Sequence, residues 1–162
     1  MEVKIFSQAS FSDFYNNGVA FLKAMRRCFS DENGKMIKNG QIIQLPVPTV
    51  VNAAFSCEMF LKAILIFEGT DYPTDRKGHH LLQLYSLISD KNKKRISAFC
   101  MPGNDSEGRF SWFLCGHASD FTDIRYFMER EGWQGMSPLE MMMLAENLFR
   151  ITHNILFCGN DE

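Results

Sequence analysis

The chain has 162 residues, 46% of them hydrophobic, a net charge of −2 and a pI of about 6.1. This length suits one globular domain, residues 1–162, with room for a proper core. The slightly acidic balance argues against non-specific duplex DNA binding, which relies on many phosphate-neutralising Lys and Arg residues.

Fifteen Phe and ten Met point to a bulky, adaptable helical core rather than to β-sandwich strands. Ser10 or Ser12 is positioned to cap a first helix reaching about Phe29, with Phe11, Phe14, Tyr15, Val19, Leu22 and Met25 at helical spacing. Its Lys23, Arg26 and Arg27 complement the C-terminal end of the helix dipole. Residues 31–40 form a polar turn region and 41–47 a short extended piece, with Pro46 and Pro48 breaking the chain before the next helix.

Residues 50–67, VVNAAFSCEMFLKAILIF, are apolar all round and predict a central helix covered by neighbours. Their two charges, Glu58 and Lys62, make a membrane span unexpected. A loop over 69–78 follows, then a helix over 79–89 and another over 90–99. The latter's Lys91, Lys93, Lys94 and Arg95 read as a solvated face. Residues 101–108 are a loop, and 110–128 hold one or two short helices. Ser137, Pro138 and Glu140 supply cap, first-turn proline and capping-box partner for a last helix that runs to about Cys158 and stops at Gly159. The fold class is all-α: an up-and-down bundle of about five or six helices.

Five widely spaced cysteines without a C-x-x-C read as reduced, mostly buried thiols of a cytoplasmic protein. No second Cys/His pair joins Cys115 and His117, so no metal site is expected. No P-loop, dinucleotide fingerprint, nucleophile elbow or H-E-x-x-H is present, and no cofactor is expected. The N-terminal residues show no basic segment leading into an apolar one, so no signal peptide is expected.

Three constellations carry possible chemistry. Glu58, Lys62 and Arg125 lie on faces that can meet, with His79 or His80 as a fourth member. They form either a structural lock, the weightier reading, or an anion pocket clamped by Lys62 and Arg125. The last helix presents Glu146, Asn147, Arg150, His153 and Asn154 on one side. That stripe is either a solvated face with a Glu146–Arg150 pair or a phosphate-contacting surface, on which Arg150 and His153 are the candidate catalytic residues. The third is the helix start RKGHHLLQL, where a His is more often a cap or surface residue than a catalyst.

Taken in order, FSCEMFLKAIL, KGHHLLQLYSLI and DIRYFME resemble the HEPN superfamily of small α-helical proteins from bacteria and archaea. Glu58, Leu61, Lys62 and Ala63 match its E-x-x-L-K-A helix. Gly78, His79 and Leu81 match its G-H-D-L helix start, and Arg125, Tyr126 and Glu129 its W-R-Y segment and acidic residue. His80 stands in place of the usual Asp, losing a capping carboxylate, and Ile124 in place of the usual Trp. The R-x4–6-H ribonuclease motif is absent; Arg150 and His153 are too close together to supply it. The resemblance implies a HEPN-like bundle, often a homodimer, that binds RNA, a nucleotide or a partner protein in a prokaryotic defence or toxin–antitoxin setting. The competing reading is a divergent metal-independent endoribonuclease using Arg150 and His153 across a dimer interface.

Overall fold

A computed structural model of the chain describes residues 9–30, 36–38, 41–43, 46–73, 76–116 and 138–159. These form an all-α helical bundle: α1 (Phe11–Ser30), α2 (Pro46–Phe67), α3 (Leu81–Leu87), α4 (Asp90–Cys100), α5 (Ser106–Gly116) and α6 (Pro138–Phe157). A short antiparallel pair, β1 (Met36–Lys38) and β2 (Gln41–Ile43), links the first two helices, with Met36 opposite Ile43.

Ser10 is the residue that starts α1. Its backbone N–H and hydroxyl both donate to Asp13 Oδ2 at 2.8 Å, and its hydroxyl oxygen accepts from the Asp13 N–H at 3.3 Å. This reciprocal box satisfies donors that the first turn leaves open, and it holds the Asp13 carboxyl below its usual range. Pro46 and Pro48 do not break the chain ahead of the central helix, as their composition suggested; they open it. In the first turn a backbone N–H has no partner inside the helix, so a proline loses nothing there.

Helix α2 is the centre of the bundle. Phe60, Leu61, Ala63, Ile64 and Leu65 are all 0% exposed. Residues Pro48–Phe67 are long and apolar enough to cross a membrane by length and composition, but 67% of the most apolar window is buried inside the bundle. Helix α1 runs antiparallel to α2, since Phe11 meets Phe67 at 5.4 Å and Phe21 stacks on Phe55 at 5.0 Å. It also runs antiparallel to α6, where Phe11 meets Phe157 and Arg26 meets Glu146. Helices α2 and α6 are therefore parallel, with the Phe60 and Phe149 rings 5.9 Å apart.

The shorter helices form a side layer. Tyr85 of α3 meets Phe110 of α5 edge-on at 5.0 Å. Glu68, just past α2, accepts from the Ser89 N–H and hydroxyl and from Asn92 Nδ2, which staples the end of α2 to the start of α4. Helix α5 begins at Ser106, inside the stretch expected to be loop. Asp105, at φ 52°, turns the chain there and accepts from the Gly108 N–H at 3.3 Å. Of the five thiols only Cys57 is fully buried, and Cys115 and Cys158 are exposed, fewer buried than expected. Burial pushes the Cys57 thiol well up and the Cys100 thiol to about 12, which makes both poor nucleophiles.

Candidate functional site

Glu58 and Lys62 sit one turn apart on α2 and are carried into the core with it. Their side chains are 3% and 8% exposed, and Lys62 Nζ donates to Glu58 Oε1 at 2.7 Å. His79, at the end of a 3₁₀ turn over Arg76–His79, donates its Nδ1–H to both Glu58 oxygens at 3.1 Å. The Lys62 ammonium also lies 4.8 Å from the Tyr72 ring centre, a cation–π contact the sequence did not signal. Burial, followed by the Glu58 charge, raises the Tyr72 hydroxyl pKa. The buried carboxylate thus has an ammonium and an imidazole as partners, and the ammonium is directed inward. Arg125 and Tyr126, expected to join this group, lie outside the described residues.

The loop that delivers His79 depends on Gly78. A Cβ there would run into the backbone carbonyl oxygen of Pro73, so the requirement is for space. We expect Gly78→Ala to displace this loop, loosen His79 from Glu58 and lower stability by about 1–3 kcal/mol, measured by urea unfolding. His80 caps the next helix. Its Nδ1 accepts from the Gln83 N–H at 3.4 Å, with His80 itself in an extended conformation at the N-cap of α3.

The α6 stripe is wired differently from the expected Glu146–Arg150 pair. Arg26 of α1 forks onto Glu146, Nε to Oε1 at 2.6 Å and Nη2 to Oε2 at 2.7 Å. This fork holds the Glu146 carboxyl below its usual range, with Arg150 adding a smaller push. Asn154 accepts from Arg95 of α4 at 2.6 Å. His153 Nδ1 meets the Tyr15 hydroxyl at 2.9 Å. Asn147 is partly buried, and it lines a mainly apolar cleft with Met101, Phe110, Phe113, Met143 and Leu144. Arg150 and His153 are exposed, as are Lys23 and Arg26 across the α1–α6 boundary.

Tyr15 and Arg26 were legible as a core position and a helix-end cation, but not as partners of α6. The hydroxyl–imidazole contact spans 138 residues and the fork spans 120, so no local spacing announces either. On α4, Lys91 and Lys94 are exposed, while Lys93 pairs with Asp90 at 2.8 Å. Among the described residues no group of three or more His, Cys, Asp or Glu side chains is placed to hold a metal ion.

The fold and these contacts define a helical bundle with a buried ion pair and, on the α1–α6 side, an Arg26–Glu146 fork beside exposed Arg150 and His153. No family model, curated protein or solved structure matches the chain.

Proposed function

We propose that the chain is a HEPN-like helical module that binds single-stranded RNA or a nucleotide without cleaving it, in a prokaryotic defence or toxin–antitoxin setting. The observation that carries this reading is the α1–α6 face, where exposed Arg26 and Arg150 both act on Glu146, with exposed His153 one turn beyond Arg150 and exposed Lys23 one turn before Arg26. Within this group Glu146 is the carboxylate, and Arg26 already engages it. The cluster therefore keeps an excess of positive charge on a chain whose net charge is −2. Phe157, 49% exposed at the end of the stripe, adds a ring on which a base can stack. The Glu58–Lys62 pair is a weaker candidate for anion binding, because its ammonium is buried on its own carboxylate.

Titration of a labelled oligouridylate by fluorescence anisotropy tests the reading. We expect Arg150→Ala to weaken binding about tenfold and to reduce the salt slope by about 0.7, the value for one phosphate contact on a single strand. Salt-independent binding, or none at low ionic strength, refutes it.

The second reading is a metal-independent endoribonuclease using Arg150 and His153 across a dimer interface. The favouring observation is the hydrogen bond that orients His153. Cleavage that persists with chelator and vanishes in His153→Ala selects it over simple binding. Both readings place the protein in a homodimer, which sedimentation equilibrium measures directly. Leu139 and Met143, 57% and 56% exposed on the same helix, offer apolar surface for a second copy or another partner protein.

A further inference from the structure

Tyr15 is 9% exposed on the inner side of α1, wedged against the rings of Phe60, Phe149 and Phe157. Its hydroxyl reaches His153 Nδ1 at 2.9 Å, and the exposed imidazole also packs on Phe157 at 5.2 Å and Phe149 at 6.4 Å. The His153 ring is thus anchored by a hydrogen bond and two aromatic faces. Because Nδ1 is turned toward a buried group, the solvent-facing part of the ring carries Nε2.

We infer that Tyr15 is a positioning residue that makes His153 a standing Nε2–H donor for a phosphate oxygen of bound RNA, an inference that rests on the RNA-binding reading above. A phenol is a better donor than acceptor toward neutral imidazole, so its O–H is directed to Nδ1 and the imidazole proton resides on Nε2. Burial, and after it the nearby Cys158 thiol, raises the Tyr15 pKa, which keeps that proton on the phenol. When the imidazole takes up a second proton, Nδ1–H donates to a phenol lone pair and Nε2–H persists. A donor therefore faces outward in both protonation states, whereas a general base needs a lone pair there. Arg150, one turn earlier, supplies the charge, and the Glu146 carboxylate beside it is held by Arg26.

Long-range ¹H–¹⁵N correlation spectra of histidine-labelled protein read the tautomer directly. We expect His153 as the Nε2–H form in the wild type and as a mixture in Tyr15→Phe. For oligouridylate we expect about threefold weaker binding in Tyr15→Phe and about tenfold weaker binding in His153→Ala. His153→Gln, whose amide N–H reaches the Nε2 position, should restore binding to within about twofold of wild type. An Nδ1–H tautomer in the wild-type protein overturns the inference and leaves RNA binding standing. An Nε2–H tautomer without oligouridylate binding overturns the RNA reading, and with it phosphate as the acceptor.

Discussion

Glu58→Ala is expected to lower unfolding free energy by about 3–5 kcal/mol, the range for breaking a buried ion pair by removing one partner. The cause is what remains behind. Lys62 would keep its ammonium in a site where the side chain is 8% exposed, over the Tyr72 ring and with its carboxylate gone. His79 would lose the acceptor that ties its loop to α2. The double variant Glu58→Leu with Lys62→Met removes both charges and keeps much of the volume, so it should recover most of the loss. Urea unfolding of the three proteins tests the pair as a lock. Unchanged stability in Glu58→Ala would contradict it, and recovery in the double variant would attribute the loss to the stranded charge.

The second large effect is expected where α1 crosses α2. Gly18 sits in the interior of α1, where glycine costs about 1 kcal/mol relative to alanine. The packing explains its presence. A Cβ at Gly18 would approach the Phe60 ring to 2.7 Å, and Ser56 donates its hydroxyl to the Gly18 carbonyl at 2.9 Å. Phe60 is fully buried, with Tyr15 and Phe149 against it, so its ring has little room to yield. Gly18→Ala should therefore destabilise by about 1–3 kcal/mol despite its better helix propensity. Phe60→Ala should cost about 3–5 kcal/mol through lost burial and the cavity left behind. Together they should cost less than the sum, because the second change removes the atoms that the new methyl group meets. Simple additivity would show that Gly18 answers to something other than the Phe60 ring.

Much of the fold is written in short-range signals. Ser10 or Ser12 reads as a cap, residues 50–67 read as a central helix covered by its neighbours, and a glycine closes the last helix at Gly159, φ 69°. The Glu58–Lys62 pair was visible because four residues bring two side chains together on any α-helix. The RKGHHLLQL helix start offers a histidine cap, and His80 fills it. Ser106 as a helix start was less legible, because it depends on how Asp105 turns the backbone.

Local sequence patterns specified most of the helices and placed two charges inside the most apolar one. Helical periodicity is a property of a few consecutive residues, so it survives without knowledge of the rest of the chain. Partnership between distant side chains came from the packing of the helices. It sent Glu146 to Arg26 rather than to Arg150, brought Asn154 to Arg95, and set a buried tyrosine beneath His153. Those choices follow from the rotation and offset of one helix against another. Side chains packed over the whole interface set that geometry, and no single stretch of sequence contains it.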